Sequence, residues 1–454
     1  MKRLTALLAT VLMMTFLSPM LSALPLEAPD FDAYSDSYVV IDAQTGQVLA
    51  EKNMNKREYP ASITKIMTIA LGLERKKLDD TLTMSEQAVF SVPRSASHIA
   101  LTTGEVITLR DAIMGALLPS ANDAANGIAE FVGGSLEMFP VMMNAKAEEV
   151  GALNTHFTNA NGLEDDNHYT TAYDMAMITK YALTVDGFRE VFGTTEYTMQ
   201  PTNMQPEQRN FGTQHHMIVT SAYQYDGAWG GKLGWTAQAN HTAVTVAKRG
   251  DTELIAVVMN SKTKWEKYKD TAKLFDYCFD NLQKVNIPAG TVKGKVIPIA
   301  EGKNEVGSAT VSGLTQDYGL LVKKGTTAAD IDVTIDAKIL YTKGEKIAPN
   351  AVFTVKGEGS ADEPLLTVPL PCKVETDEPS APAQMAVANE TKVYDDGKVV
   401  DKPSASGQNI LFSVGLVLGS IAILIILFAL LRMAVQNYYR KKRRRAYSSY
   451  IKRL

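Results

Sequence analysis

The sequence predicts a mixed α/β (α+β) domain over residues 30–284, followed by a small all-β domain over residues 285–372. The first segment alternates short apolar strands with stretches of helical periodicity, which favours strands and helices around one core. The second contains short alternating runs between glycine-containing turns, which is typical of small antiparallel sheets. In addition, an uncharged stretch of 22 residues at 410–431 predicts one C-terminal transmembrane helix.

Two hairpins are predicted in the first domain. Residues 38–42 and 48–50 are largely apolar and flank a turn that contains Gly46. Residues 242–247 and 254–259 flank a second turn with a glycine at its centre. Both pairs have the length and composition of strands that lie in a folded core.

Two helices are predicted from apolar spacing and from helix-breaking residues. The first covers 109–118 and is ended by Pro119. The second covers 264–284, and its apolar side chains recur at helical intervals that would pack one face on the sheet. These side chains are Tyr268, Ala272, Phe275, Phe279 and Leu282.

The two ends of the chain predict export and membrane attachment. Residues 1–23 join two basic residues to an apolar stretch and small residues, which is typical of a secretory signal peptide, with a retained N-terminal anchor as the alternative. Residues 373–409, rich in Pro, Ser, Ala and acidic groups, are predicted to form a linker. The helix at 410–431 precedes a basic tail at 432–454, so the positive-inside rule predicts a cytosolic C-terminus. The expected localisation is the cell membrane, with a single pass and an extracytoplasmic body.

Charge and composition exclude several classes of protein. All 50 acidic residues lie between Leu24 and Gln408, whereas eleven of the 46 basic residues lie outside that stretch. An acidic body of this kind argues against nucleic-acid binding. Two cysteines and six scattered histidines do not have the spacing of a metal site, so we expect neither a metal nor a cofactor.

Three short motifs indicate the chemistry of the protein. Ser62 and Lys65 are one helical turn apart, so the lysine can reach the serine hydroxyl and, when neutral, accept its proton. Ser120 and Asn122 lie in a loop that follows a predicted helix, and Lys232 lies among glycines before the second hairpin. Together they supply a nucleophile, a base, a second hydroxyl, an amide and a second cation that lowers the pKa of the first lysine.

In this order the motifs resemble those of the serine penicillin-recognising enzymes, which are Ser-x-x-Lys, Ser-x-Asn and Lys-Thr-Gly. More narrowly, PASITKIMT, SANDAA and NANGLEDDNHYTTAYDMA are similar to the low-molecular-mass penicillin-binding D-alanyl-D-alanine carboxypeptidases. The resemblance implies a β-lactamase/transpeptidase-like catalytic domain. It also implies a serine-type carboxypeptidase that removes the terminal D-Ala from peptidoglycan stem peptides ending in D-Ala-D-Ala, and that is inhibited by β-lactam antibiotics.

The resemblance implies a role for each motif residue. Ser62 is the nucleophile that is acylated, and Lys65 is its base. Ser120 relays a proton to the leaving amine. Asn122 contacts the substrate amide, while Lys232 contacts Ser120 and the carboxylate of the substrate.

The strand of the third motif is expected to bind the substrate through Gly234, Trp235 and Thr236. By the same resemblance, the backbone N–H groups of Ser62 and Trp235 form the oxyanion hole. The motif departs from the family pattern because Leu233 replaces the usual threonine, whose hydroxyl binds the terminal carboxylate. We expect Thr236 and a downstream cation, Lys267, to compensate.

Two other functions remain as alternatives. A class A β-lactamase shares the three motifs and adds a glutamate that activates water, and Glu164 with Asn167 offers such a pair. A non-catalytic wall-binding or β-lactam-sensing protein is the second alternative, with Leu233 as a sign of lost activity. His168 and Asn161 are assigned to loop structure near the site, with catalysis as the alternative.

Overall fold

The computed structural model describes residues 32–376, apart from 302–303, 336–338, 343–344, 347–348 and 357–363, together with two short strands near residue 396. The predicted signal peptide, transmembrane helix, basic tail and most of the predicted linker lie outside the described residues. Among the residues that are described, no helix is both long and apolar enough to cross a membrane.

The first domain is built on a five-stranded antiparallel sheet with the strand order β2-β1-β9-β8-β7. Two two-stranded sheets, β3-β4 and β5-β6, lie outside it. The strands are β1 (Ser37–Asp42), β2 (Val48–Lys52), β3 (Thr81–Thr83), β4 (Val106–Thr108), β5 (Glu196–Met199), β6 (Arg209–Gly212), β7 (Ala228–Thr236), β8 (Asn240–Arg249) and β9 (Thr252–Ser261). Both predicted hairpins are confirmed, as β1-β2 and β8-β9.

Eight helices of this domain are described. They are α1 (Lys65–Arg75), α2 (Glu86–Phe90), α3 (Leu109–Leu117), α4 (Asn122–Gly133), α5 (Phe139–Glu149), α6 (Ala172–Ala182), α7 (Phe188–Phe192) and α8 (Glu266–Asn281). The predicted helix before Pro119 is confirmed as α3.

The central sheet is covered on both faces, which explains why its inner strands have apolar residues at consecutive positions. Along β1, Val39 and Ile41 belong to the core shared with α1, α3, α4 and α6, whereas Tyr38 and Val40 belong to a second core beneath α8. Alternate side chains of a strand point to opposite faces, so a sheet buried on both sides favours apolar residues at consecutive positions. The first core surrounds α1, whose first eight residues are all buried.

The helix predicted over 264–284 is shorter in the structure. Helix α8 ends at Asn281, and Leu282 already has an extended backbone and begins the next strand. Leu282 is opposite Lys323 in that strand pair, and its side chain stays in the core beneath α8 together with Leu321. Apolar spacing therefore identified a buried residue correctly but assigned it to the wrong element, because strand pairing replaces the last helical turn.

The following segment forms small antiparallel sheets around a core of its own. Its strands pair as β10-β13, as β16-β15-β11-β12-β19 and as β14-β17-β18, with β15 parallel to β11. They are β10 (Leu282–Ile287), β11 (Val296–Glu301), β12 (Asn304–Val311), β13 (Tyr318–Lys323), β14 (Ile331–Ile335), β15 (Ile339–Thr342), β16 (Glu345–Lys346), β17 (Asn350–Val355), β18 (Leu366–Pro369) and β19 (Cys372–Thr376). The described part of the remaining chain is the short hairpin of β20 (Tyr394–Asp395) and β21 (Lys398–Val399).

A buried glutamine joins the β1-β2 turn to β13. The Gln47 side-chain amide donates to the carbonyl of Leu321 at 2.7 Å, and the backbone N–H of Leu321 donates to Gln47 Oε1 at 2.8 Å. Two buried hydrogen bonds of this kind satisfy backbone groups that would otherwise cost about 1 to 3 kcal/mol each. These hydrogen bonds attach the small sheets to the central sheet at the β1-β2 turn.

Candidate active site

The predicted nucleophile and base lie side by side at the beginning of α1. Ser62 belongs to a 3-10 helix, Ala61–Thr64, that leads directly into α1. The Nζ atom of Lys65 lies 2.8 Å from Ser62 Oγ. Because the first eight residues of α1 are buried, both side chains are held next to a rigid element in the centre of the domain.

Lys65 is completely buried and has three hydrogen-bond partners. Besides Ser62 Oγ, its Nζ donates to Asn122 Oδ1 at 2.7 Å and to the carbonyl oxygen of Asn161 at 2.6 Å. Burial lowers the pKa of Lys65 well below its ordinary value, and the charge of Lys232 lowers it further, whereas Asp123 acts in the opposite direction. A neutral amine has two N–H groups, which the two carbonyl oxygens require, so its lone pair is left for the serine hydroxyl.

Ser120 lies between α3 and α4 in a backbone conformation that is rare for a residue with a side chain, since its φ is 64°. Its hydroxyl accepts a hydrogen bond from Lys232 Nζ at 2.9 Å, and the same Nζ donates to the carbonyl oxygen of Leu233. A strained backbone of this kind costs about 1 to 3 kcal/mol and is concentrated at functional positions. The strain places Ser120 on the rim of the same cavity as Ser62.

A loop between α5 and α6 closes on the 3-10 helix that carries Ser62. Gly162 has a φ of 85°, and a Cβ atom at this position would lie only 1.9 Å from the carbonyl oxygen of Ala61. His168 is buried, accepts the backbone N–H of Thr158 at Nδ1, and therefore donates from Nε2 to Thr64 Oγ1 at 2.9 Å. Burial lowers the pKa of His168 to about 4, so the ring is neutral near pH 7. His168 has the structural role that the sequence indicated.

Strand β7 is an edge strand of the central sheet and borders Ser62. A Cβ atom at Gly234 would lie 2.9 Å from the backbone nitrogen of Ser62 and 2.4 Å from Thr242 Oγ1, so glycine is required for this approach. Trp235 is 61% exposed at the edge of the cavity. The hydroxyl of Thr236 instead accepts the backbone N–H of Ala239 within the β7-β8 turn, and Thr236 does not line the cavity.

A cavity of about 580 Å³ opens beside Ser62 and Ser120 and extends along β7. Lys232 and Lys267 line it and are 3% and 4% exposed. Burial lowers the pKa of Lys232 to about 7, with a further contribution from the charge of Lys267, whose own pKa burial lowers to about 8. Within the described residues, no carboxylate pairs with Lys267, whose ammonium lies 5.1 Å from the Tyr268 ring centroid.

The residues on which the β-lactamase alternative depends do not form a water-activating pair. Glu164 and Asn167 are both exposed. Oε1 of Glu164 accepts the backbone N–H of Gln238 at 3.2 Å, and the carbonyl of Asn167 lies 2.7 Å from His156 Nδ1. The loop therefore uses these groups for its own structure.

A serine hydroxyl next to a buried lysine of lowered pKa, with a second serine and a second buried lysine around one cavity, is the arrangement expected of a serine acyl-transfer enzyme that uses a lysine as its base. Comparisons with known proteins agree with this class. A family model described as D-alanyl-D-alanine carboxypeptidase matches residues 25–263, which is more than half of the chain. The chain belongs to this family and is a serine-type peptidase.

Individual relatives cover most of the described chain. The D-alanyl-D-alanine carboxypeptidase DacF of Bacillus subtilis is 32% identical over 340 residues, which is 72% of this chain and 84% of DacF. The D-alanyl-D-alanine carboxypeptidase DacC of Escherichia coli is 30% identical over 342 residues, which is 69% of this chain and 82% of DacC. The crystal structures of penicillin binding protein 5 from Haemophilus influenzae have a TM-score of 0.61 at 22% identity, with coverage of 77% of this chain and 99% of that chain, and support the same fold.

The sequence did not reveal two features of the site. The carbonyl oxygen of Asn161 is a direct partner of Lys65, whereas the sequence assigned Asn161 to loop structure near the site, with catalysis as the alternative. Asp123 accepts the backbone N–H groups of Ile99 and Leu101 and so fixes the loop beside Ser120. A backbone carbonyl carries no residue-specific signal, although the Asn-Gly pair at 161–162 marks the sharp turn that aims it.

We predict that Gly162→Ala damages both stability and acylation, because the added methyl group would overlap the backbone before Ser62. Gly134→Ala is the matched control, since Gly134 also has a positive φ of 78° but has no atom within 4 Å of the Cβ position. The control should lower the free energy of unfolding by about 1 kcal/mol. The Gly162 variant should lose about 2 to 4 kcal/mol because overpacking is added, and it should react more slowly with penicillin. Equal losses and unchanged acylation in both variants would contradict this account.

Proposed function

We propose that the protein removes the terminal D-Ala from peptidoglycan stem peptides ending in D-Ala-D-Ala, through an acyl-enzyme on Ser62. The observation that carries the proposal is the completely buried Lys65, whose Nζ lies 2.8 Å from Ser62 Oγ. The reaction uses side chains and backbone groups of this chain and needs no cofactor.

In the first step, Lys65 accepts the hydroxyl proton as Ser62 Oγ attacks the carbonyl carbon of the penultimate D-Ala. Two carbonyl acceptors, Asn122 Oδ1 and Asn161 O, orient the neutral amine toward the hydroxyl, so little reorganisation is needed at the moment of transfer. The backbone N–H groups of Ser62 and Trp235 are the proposed donors to the negative oxygen of the tetrahedral intermediate.

In the second step, the amine of the terminal residue leaves after it accepts a proton from Ser120. The hydroxyl of Ser120 can pass on a proton because Lys232 Nζ lies 2.9 Å from it and stabilises its negative charge. The proton that Lys65 accepted from Ser62 is passed on to Ser120, so Lys65 is neutral again. Water then attacks the ester carbonyl on Ser62, and Lys65 accepts a proton from this water and returns it to Ser62 Oγ as the product acid leaves.

The terminal carboxylate is proposed to bind between Lys232 and Lys267, since both ammonium groups line the cavity next to Ser120. Lys267 has no carboxylate partner among the described residues, so a substrate carboxylate would provide the counter-charge that its burial demands. This assigns to Lys267 the compensation for Leu233 that the sequence indicated. Thr236 is a weaker candidate for that role because its hydroxyl is used within the β7-β8 turn.

β-Lactam antibiotics are proposed to enter the same site and to acylate the same serine. A β-lactam offers Ser62 a strained amide carbonyl and offers the two lysines a carboxylate. The solved structure of a penicillin-binding protein homolog from Mycobacterium tuberculosis, which is 28% identical to this chain, supports this part of the proposal.

We predict that Ser62→Ala abolishes both covalent labelling by penicillin and release of D-Ala from a pentapeptide that ends in D-Ala-D-Ala. Turnover should fall by at least about 10⁴-fold, since the covalent path is lost. Ser97→Ala is the matched control, because Ser97 lines the same cavity but has no proposed role in the reaction. Labelling and release should both persist in the control. Undiminished labelling of the Ser62 variant would refute the assignment of the nucleophile.

We predict that KM for the pentapeptide rises as the pH increases from 7 to 9. A bound carboxylate favours the charged lysines, so their pKa values rise on binding, and free protein that has lost these protons binds less well. The pKa values of about 7 for Lys232 and about 8 for Lys267 set the pH range over which KM should rise. In Lys267→Met, the pKa of Lys232 should rise because a nearby charge is removed, so the increase of KM should begin at a higher pH. A KM that is constant up to pH 9 would argue against carboxylate binding by these lysines.

The protein is further proposed to be anchored in the cell membrane by residues 410–431, with its body outside the cytoplasm. The uncharged 22-residue stretch and the basic residues that follow it support this topology. Protease added to intact cells should remove the body and leave a small membrane-bound C-terminal fragment. Cleavage of the tail with protection of the body would mean that the orientation is reversed.

A further inference from the structure

The cavity beside Ser62 has a volume of about 580 Å³, which lies in the range of pockets that bind drug-sized ligands. It must hold the D-Ala that is acylated as well as the residue that leaves. The residues that line the leaving-group side, beyond Ser120 and Lys232, therefore influence which terminal residue the site prefers.

One part of that lining is cationic and the other is apolar. Lys232 and Lys267 provide the cationic part. Leu233, which directly follows Lys232, and Trp265 with Tyr268, on either side of Lys267, provide the apolar part. A ligand that uses both parts has a carboxylate with an apolar group a few bonds away, which is the chemistry of an α-amino acid with a large side chain.

The apolar wall is held in place by aromatic packing behind it. Tyr223 stacks on Trp265 with ring centroids 5.0 Å apart and an interplanar angle of 8°. The His216 ring lies 5.6 Å from Trp265 and 5.8 Å from Tyr268. Leu233 packs against the same cluster of side chains. A wall that is already ordered loses little conformational freedom when a ligand binds to it.

We propose that the preferred leaving residue is a D-amino acid with a large apolar or aromatic side chain, held by its carboxylate at the two lysines and by its side chain against Leu233 and Trp265. The proposal rests on the function proposed above and extends its substrate class from stem peptides ending in D-Ala-D-Ala to those ending in D-Ala-D-X, where X is larger than alanine and is released more efficiently. Leu233 is then a specificity-determining residue and not a defect of the third motif.

The chemistry of the reaction is unchanged by this substrate. The amide bond between D-Ala and D-X breaks as the ester between Ser62 Oγ and the D-Ala carbonyl forms, and the amine of D-X takes the proton relayed by Ser120. One water molecule then cleaves the ester. Burial of a leucine- or phenylalanine-sized side chain against the wall should raise kcat/KM by roughly 10- to 100-fold if this contact is kept in the transition state.

The test compares three synthetic pentapeptides that are identical except for a terminal D-Ala, D-Leu or D-Phe. The released amino acid is quantified by mass spectrometry, and kcat/KM is determined for each peptide with the wild-type protein. We expect D-Leu and D-Phe to be released at least tenfold more efficiently than D-Ala. Release of D-Ala with equal or higher efficiency would overturn the inference and leave the proposed function intact, whereas release of none of the three would contradict the proposed function itself.

Variants separate the wall from the rest of the site. Leu233→Thr and Trp265→Ala should each lower the ratio of kcat/KM for D-Phe to that for D-Ala by at least about fivefold, and Leu233→Thr should also raise the efficiency for D-Ala. Trp229→Ala is the matched control, because Trp229 packs on Phe192 and does not line the cavity. The ratio does not depend on how much of each preparation is folded. An unchanged ratio in both wall variants would overturn the inference.

Discussion

The burial of one amine underlies the organisation of this domain. Lys65 lies in the centre of the fold, and each of its hydrogen-bond partners comes from a different segment: Ser62 from the 3-10 helix, Asn122 from the start of α4, and Asn161 from the loop before α6. A buried lysine without these partners would be strongly destabilising. The same contacts that make its burial tolerable also gather the proposed nucleophile, base and amide in one place, so folding and the assembly of the site are one process.

The sequence was sufficient to predict the residues that meet within one element or through a known motif. Ser62 and Lys65 are one helical turn apart, and the hairpins around Gly46 and Gly250 follow from apolar runs with a turn between them. The exact end of α8 was not predictable, because Leu282 fits the spacing of the helix as well as the alternation of the strand that it joins. Strand pairing with a distant segment decides between the two, and such pairing has no local signal.

Contacts between distant segments account for the rest of what the sequence did not reveal. The approach of Gly162 to Ala61 joins residues about one hundred positions apart, and only the folded chain shows that a side chain there would meet a backbone carbonyl. Thr236 illustrates the opposite case, since its position beside the third motif suggested a substrate contact. In the structure its hydroxyl completes a turn, because a nearby backbone N–H is a partner that is always present.

Electrostatic coupling links the three lysines of the site, Lys267, Lys232 and Lys65. The charge of Lys267 lowers the pKa of Lys232, and the charge of Lys232 lowers the pKa of Lys65. A change of charge where the substrate carboxylate is proposed to bind therefore changes the pKa of the proposed base. A carboxylate bound at Lys267 and Lys232 offsets their charge and thereby weakens the depression of the Lys65 pKa. The base would then be strengthened only when the correct end of a substrate is in place. Every terminal residue has a carboxylate, so this coupling does not distinguish one terminal residue from another. That distinction depends on the uncharged wall that includes Leu233.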